Sequence, residues 1–214
     1  MRFGAGKGVF SPFSDKGTRP TLTRKSSGFD QFCSILQSYE NLSILDMSGA
    51  SQANISFITG LGHRISSDDI IGTMVECFGK DFIGNQQAAS NAQRFLDKTF
   101  TFPEASFDGV LVWDAFQFLT SPLIEQTVHQ LFRILRPGAH LLLFFSANEK
   151  APSIPVYNYR IQDRKTLLQM PRPGTTDQKG QYFNNRRLEK IFERASSMKF
   201  FLTRDHLREL IVRR

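Results

Sequence analysis

The chain has few of the residues that fix a structure or a reaction by themselves. Only two of its 214 residues are cysteines, Cys33 and Cys77, and only one is a tryptophan. The two cysteines lie far apart and have no metal-type spacing, so we expect buried thiols in a reducing compartment and no disulfide. The four histidines are scattered along the chain, which argues against a structural zinc site.

Long apolar runs are also absent. No run approaches the roughly 20 residues that a membrane-spanning helix needs. The basic N-terminus lacks the apolar segment of a secretory signal. A chain of 214 residues is long enough to bury a substantial core as one domain. We therefore expect a cytoplasmic protein without a membrane span.

Charge is unevenly distributed along the sequence. Residues 1–28 carry a net charge of +5, residues 29–149 carry −7, and residues 150–214 carry +9. Basic ends around an acidic middle leave nucleic acid open as a partner. We favour a solvated face and a disordered basic arm over residues 1–28, because the basic residues are scattered and not interleaved with aromatic ones. The Gly4–Gly8 segment, GAGKG, lacks the flanking strand and helix of a phosphate-binding loop.

The stretch 107–145 gives the clearest structural prediction. Residues 109–113 and 141–145 are short apolar runs, as in strands covered on both faces. Between them, apolar residues from Ile124 to Leu135 recur at helical spacing. Ser121 and Pro122 suit the start of that helix, and Pro137-Gly138 suits its end. Strand, helix and strand with short connections predict a βαβ unit.

The same stretch resembles the fourth strand, following helix and fifth strand of class I S-adenosylmethionine-dependent methyltransferases. That family has an FD pair, an apolar run and an acid, then L-R-L-K/R-P-G-G and another strand. Ala139 departs from the second glycine of the pattern. The matching residues are Phe107, Asp108, Leu135, Arg136, Pro137 and Gly138.

The remaining pattern fits the same fold class. We predict a doubly wound, Rossmann-like, mostly parallel α/β sheet over residues 29–214, closed by a C-terminal antiparallel hairpin. A basic insert lies at about 150–180 and includes a hairpin near 156–170. A third strand is predicted near residues 94–96. The order of the other predicted elements is helix 29–39, strand 42–47, helix 53–61, strand 63–67, helix 70–79, helix 186–195 and strands 198–203 and 207–213.

The loop after the first strand of this domain is the main candidate cofactor site. In the family it reads LD-x-G-x-G-x-G, whose glycines let the backbone approach the methionine part of the cofactor. This chain keeps Asp46 but has Ser48, Ala50 and Gln52 at the glycine positions. The alternative is a structural turn, with Gln52 filling part of the pocket. The resemblance implies that four loop residues bind S-adenosylmethionine: Asp46, Ser48, Gly49 and Ala50.

Three further acids complete the predicted cofactor site. The family places an acid after the second strand to accept hydrogen bonds from the ribose hydroxyls, which indicates Asp69 in preference to Asp68. Asp97 resembles the acid that binds the adenine amino group, although the spacing is one residue short. Asp114 ends the fourth strand beside Trp113, whose indole could stack on adenine or pack in the core. Each acid could instead be a helix cap or a surface residue.

Three functions remain open from the sequence. The first is a methyltransferase whose acceptor, small or macromolecular, is unidentified. This reaction needs no metal, and Tyr157, Tyr159 and Arg160 are candidates to line the acceptor pocket. The second is a methyltransferase-like protein that has lost catalysis and binds a partner, because three glycines are missing. The third is an RNA-binding protein that uses its basic ends, which we do not favour.

Overall fold

The computed structural model describes residues 19–203 and 206–214, so Gly4–Gly8 and most of the predicted basic arm lie outside the described residues. The described chain forms two sheets and the helices around them. The helices are α1 Ser27–Leu36, α2 Gln52–Gly60, α3 Ile70–Phe78, α4 Phe82–Asn85, α5 Ala89–Lys98, α6 Ser121–Ile134 and α7 Asn185–Ile191. The strands are β1 Leu22–Lys25, β2 Ser43–Asp46, β3 Arg64–Ser67, β4 Phe107–Trp113, β5 Leu135–Ser146, β6 Tyr157–Asp163, β7 Thr166–Pro171, β8 Ser197–Leu202 and β9 Leu207–Arg213.

The six-stranded sheet has the strand order β3-β2-β4-β5-β9-β8. Strands β3, β2, β4 and β5 are parallel, and β9 pairs antiparallel with both β5 and β8. The predicted fold class, a doubly wound sheet with a C-terminal antiparallel hairpin, is confirmed. In such a sheet the carboxyl ends of the parallel strands form one edge, where open α/β folds bind ligands. We call this the upper end and the opposite edge the lower end.

The two central strands are buried on both faces, as their apolar sequences predict. Val110, Leu111 and Val112 of β4 are all completely buried. One face packs against α1, whose buried face includes Phe29 and Phe32, and the other packs against α3, α5 and α6. Burial on both faces is the environment for which continuous apolar runs are suited.

The third strand that we predicted near residues 94–96 is wrong, because these residues belong to α5. Phe95 and Leu96 are buried, and the ring of Phe95 lies 5.3 Å from that of Phe78. Residues 89–94 supply good helix formers and few β-branched side chains, so the local preference is helical. The sheet therefore has β3 at this edge.

A second, three-stranded sheet has the order β1-β7-β6 and is called here the cover sheet. Strand β1 comes from the segment we predicted as a disordered arm, and it pairs antiparallel with β7 from Leu22↔Gln169 to Lys25↔Thr166. Helix α1 also begins inside that segment, at Ser27, with the Ser26 side chain accepting a hydrogen bond from the Phe29 N–H. The predicted hairpin near 156–170 corresponds to β6 and β7.

Two expectations concern single features of the chain. Cys33 and Cys77 are both free and buried. Within residues 19–203 and 206–214, no helix has the length and apolar character that crossing a membrane requires.

Candidate functional site

Polar residues from three strand ends meet at the upper end of the sheet. Ser48 forms an isolated antiparallel bridge with Asp69, and the Gly49 N–H donates to the Asp68 carbonyl at 2.9 Å. Gly49 has a φ of +81°, which glycine adopts without strain. The loop after β2 and the turn after β3 are thus joined through their backbones. Four of the predicted site residues are adjacent: Asp46, Ser48, Gly49 and Asp69.

Asp46 is the centre of this site and is completely buried. Its Oδ1 accepts hydrogen bonds from the Ser48 N–H and hydroxyl, both at 3.0 Å, and from the Trp113 indole N–H at 2.7 Å. Its Oδ2 accepts from the Asn54 amide at 2.6 Å. Both carboxylate oxygens are therefore satisfied by the protein itself, as a buried carboxylate requires.

Asn54 connects the upper end to the cover sheet. Its amide nitrogen also donates to the Tyr159 carbonyl at 3.1 Å, and its amide oxygen accepts from the Ile161 N–H at 2.8 Å. Asn54 lies on the first turn of α2, on the side of that helix that faces the sheet. One buried side chain therefore ties α2, β2 and β6 together.

Trp113 and Tyr159 fill the space beside Asp46. Their rings are stacked, with centroids 5.0 Å apart and planes inclined by 4°. The backbone of Trp113 has a φ of +59°, a strained value for a bulky residue that persists only where the surroundings hold it. Phe29 and Phe144 pack against the same indole at 6.1 and 5.9 Å. The indole is thus a core residue, which was one of the two predicted roles.

The four residues Asp46, Asn54, Trp113 and Tyr159 form a closed unit that we call the cleft cluster. Their exposed fractions are 0%, 0%, 2% and 1%. In the described conformation these four side chains are therefore closed off from solvent. A recess of about 420 Å³ opens beside Arg172, the partner of Asp69.

Asp69 already has partners for both carboxylate oxygens. The guanidinium of Arg172, which follows β7, donates to Oδ1 at 2.8 Å and to Oδ2 at 2.5 Å. Oδ1 also caps α3 by accepting from the Gly72 N–H at 2.9 Å. Asp68 accepts a hydrogen bond from the Asp69 N–H, and burial raises the pKa of Asp68. An Arg fork is thus bound where a ribose diol was expected.

Asp114, at the end of β4, is buried and is not the surface residue that one of the sequence alternatives predicted. Burial raises its pKa to about 7, and hydrogen bonding to Tyr159 acts in the opposite direction. The Tyr159 hydroxyl accepts from the Gln169 amide at 3.0 Å, and burial raises the pKa of that phenol. Asp114 therefore faces the cover sheet and has no contact with an open cleft.

The other predicted site residues lie apart from the cleft cluster. Asp97 is exposed on the last turn of α5, where it accepts from the Gln93 amide at 2.8 Å. Ala50 is exposed. Gln52 is exposed as well and donates to the Ser56 hydroxyl at 3.0 Å, so it does not fill the pocket. The Arg160 guanidinium donates to the Tyr159 carbonyl at 3.0 Å.

Sequence reasoning missed two residues that determine this site. Asn54 looks like an ordinary polar residue in a helix, and Arg172 lies in a loop that the pattern leaves unassigned. Their partners are 8 and 103 residues away in sequence, respectively. No local sequence pattern predicts these side-chain contacts.

A comparison with known protein families agrees with the strand order of the six-stranded sheet. The sequence pattern of the family described as "Methyltransferase domain" matches residues 45–143, which run from β2 into β5. No curated protein matches the chain.

Several solved structures are similar to the chain at low sequence identity. A protein of Pyrococcus horikoshii OT3 is 12% identical, with a TM-score of 0.51 and coverage of 87% of this chain and 89% of that one. A SAM-dependent methyltransferase of Methanosarcina mazei is 15% identical, with a TM-score of 0.47 and coverage of 82% and 93%. The 1,6-didemethyltoxoflavin-N1-methyltransferase of Burkholderia thailandensis, solved with S-adenosylhomocysteine, is 13% identical, with a TM-score of 0.47 and coverage of 88% and 78%.

Proposed function

We propose that the chain is a non-catalytic member of the class I methyltransferase family and acts by binding a partner. The domain match at residues 45–143 and the sheet topology support its place in that family. The observation that carries the proposal is the cleft cluster. Its four buried residues, with their mutual hydrogen bonds and ring contacts, lie at the strand ends where the resemblance predicts the methyl donor, and this supports the proposal.

In this arrangement the residues predicted to hold S-adenosylmethionine already have partners within the protein. The Asp46 carboxylate has donors on both oxygens, and the Trp113 ring lies against Tyr159 with no gap between them. Asp69 is engaged by the Arg172 fork. A ligand would have to displace Tyr159, which is part of a buried hydrophobic cluster with Phe29 and Leu167, so opening costs several kcal/mol of buried contacts.

The second candidate is a functioning methyltransferase that uses S-adenosylmethionine on an unidentified acceptor. The match over residues 45–143 and the retention of Asp46 and Asp69 favour it. In that case S-adenosylmethionine would supply the methyl group. Asp46 and Asp69 would hold it after β6 had moved away from α2. A cytoplasmic location belongs to both candidates, and the two free, buried cysteines suit a reducing compartment.

The experiment is a calorimetric titration of the whole protein with S-adenosylhomocysteine, paired with a thermal shift. We expect no heat of binding and no rise in the unfolding midpoint, because a ligand that binds only the folded state must raise it. Saturable binding at one site per chain would overturn the non-catalytic proposal and favour the second candidate.

A variant pair sharpens this titration. Tyr159→Ala removes the ring that covers Trp113, and Tyr159→Phe keeps the ring while removing the hydroxyl. Under the non-catalytic proposal neither variant binds S-adenosylhomocysteine, because Asp46 and Asp69 keep their protein partners. Binding by Tyr159→Ala but not by Tyr159→Phe would instead mean that Tyr159 alone closes a working site.

A further inference from the structure

The lower end of the six-stranded sheet carries an arginine-rich surface that the proposed function does not use. It surrounds the start of β5 and the end of β9. Side chains come from the end of α6, the start of β5, the segment after α7 and the end of β9. We call this surface the arginine edge, and its members are Arg133, Arg136, Arg194, Arg213 and Arg214.

Two recesses flank the arginine edge. The first has a volume of about 200 Å³ and is lined by residues that include Tyr39, His140 and Arg213. The second has a volume of about 340 Å³ and is lined by residues that include Arg194 and Arg214. Arg213 and Arg214 are consecutive on the extended chain that pairs with β5, so their side chains point to opposite faces. Each recess therefore receives one of the two.

The acids near the arginine edge neutralise only part of it. Asp108 is paired with Arg136 at 2.5 Å. Glu104 lies in the second recess, and Glu125 and Glu193 lie in an adjoining one with Lys190. Within the described chain the side chains of Arg194 and Arg213 have no carboxylate within ion-pair distance. Two cations thus remain available, one in each recess.

An aromatic ring accompanies these cations. Tyr39 lines the first recess and is 56% exposed, so its ring face is accessible. Arginines that contact phosphates, together with an accessible ring on which a base stacks, are the combination with which proteins hold single-stranded nucleic acid. An acidic protein segment would use the arginines but would gain nothing from the ring face.

We propose that the arginine edge binds single-stranded nucleic acid, with Arg194 and Arg213 contacting successive parts of the phosphate backbone and Tyr39 stacking on a base. The polymer crosses the lower end of the sheet and enters both recesses, which a single phosphate could not do. This site is at the opposite end of the sheet from the cleft cluster. Its test is therefore independent of the titration with S-adenosylhomocysteine.

The experiment measures the anisotropy of dye-labelled oligouridylate and oligothymidylate of about 12 nucleotides, within the usual range of single-strand sites. The protein is the full chain at low and moderate salt. We expect binding that weakens steeply with salt. The double variant Arg194→Glu/Arg213→Glu should weaken binding at least tenfold and lower the salt slope by about 2, one unit for each arginine that no longer binds a phosphate. Tyr39→Ala should weaken binding with an unchanged salt slope.

The matched control is Lys165→Glu/Lys179→Glu, which changes the net charge equally on exposed residues away from the lower end. Wild-type affinity in this control, with weaker binding by the arginine variant, supports the proposal. If both variants bind equally weakly, net charge alone determines the affinity. If the arginine variant keeps the wild-type affinity, the nucleic acid binds at another site. Either result, or no binding at low salt, overturns the proposal. Displacement of the oligonucleotides by polyglutamate as effectively as by unlabelled oligouridylate also overturns it, since the surface would then accept any polyanion. A preference between the two oligonucleotides identifies RNA or DNA as the ligand.

Discussion

Polar residues are buried at the upper end of the six-stranded sheet and exposed at its lower end. At the upper end, carboxylates, an amide and an indole bond to one another, and the cleft cluster is at most 2% exposed. At the lower end, Arg194 and Arg213 reach solvent beside two open recesses. At the end where open α/β folds usually bind ligands, the surroundings of Asp46 are a structural core in this protein, and a recess of about 420 Å³ opens beside Arg172. The surface that we propose for nucleic acid lies at the other end.

The reason for this difference is the cover sheet. Its strand β6 brings Tyr159 onto Trp113, and the residue after β7 brings Arg172 onto Asp69. The lower end has no comparable layer in the described chain, because β6 and β7 both pack at the upper side against α2 and its neighbours. The comparison therefore depends on how strongly the cover sheet is held in place.

The largest expected effect at the buried upper end is that of Trp113→Ala. It removes an almost completely buried ring and its hydrogen bond to Asp46, so we expect the free energy of unfolding to fall by about 3–5 kcal/mol. Urea unfolding followed by circular dichroism measures it. Trp113→Phe is the control, because it keeps an aromatic ring on Tyr159 and should cost clearly less. A decrease below about 1 kcal/mol in Trp113→Ala would mean that the cleft is not part of the core.

A second test uses the pH dependence of stability. The pKa of Asp114 is about 7 when folded, above its usual 3.8, so the folded state binds the proton more tightly than the unfolded state. The contribution of Asp114 to the free energy of unfolding should therefore be largest below about pH 4. As the pH rises to 7, that contribution should fall by up to about 4 kcal/mol. Asp114→Asn should remove this part of the slope. An identical pH profile in both proteins would contradict a buried Asp114.

A third test compares two amides on helix α2. Asn54→Ala leaves Asp46 Oδ2 and the Ile161 N–H without their buried partner, and we expect the free energy of unfolding to fall by about 1–3 kcal/mol. Gln52→Ala, two residues earlier, removes an exposed side chain and should stay within about 0.5 kcal/mol of the wild type. Urea unfolding measures both effects. Equal losses of stability in the two variants would contradict a buried Asn54 and an exposed Gln52 on this helix.

The smallest expected effect is at Arg172. Its side chain is 17% exposed and that of Asp69 is 41% exposed, so solvent screens the ion pair and we expect Arg172→Ala to cost about 1 kcal/mol. Arg172→Lys keeps the charge but cannot form the two-pronged hydrogen bond, and should recover only part of that cost. Midpoints of thermal unfolding order the three proteins. Full recovery by lysine would show that charge, and not the fork, matters here.

The sequence predicted the central elements because their signals are local. The apolar runs of β4 and β5 and the helical spacing of α6 each lie within one segment. The sequence also indicated that Asp46 and Asp69 would meet, because strand ends converge in this fold. It failed at α5, where a weak pattern was given as a strand. It also failed at the cover sheet, whose strand β1 pairs with a strand about 145 residues later, from Leu22↔Gln169 onward.

The partners of the predicted site residues were beyond sequence reasoning for the same reason. Asp69 looked like a ribose ligand and Trp113 like a residue with two roles. Which role each one takes is decided by Arg172 and Tyr159, which lie in the basic insert. Periodicity gives the face of an element but not the identity of a distant side chain that packs on it.

Trp113 is the one tryptophan in the chain, and it lies at the centre of the cleft cluster. The intrinsic fluorescence of the protein, excited where tyrosine does not absorb, therefore reports on this place alone. Emission from a dry indole stacked on a phenol shifts to longer wavelength when water reaches it. Any movement of the cover sheet away from α2 can thus be followed in real time without attaching a label.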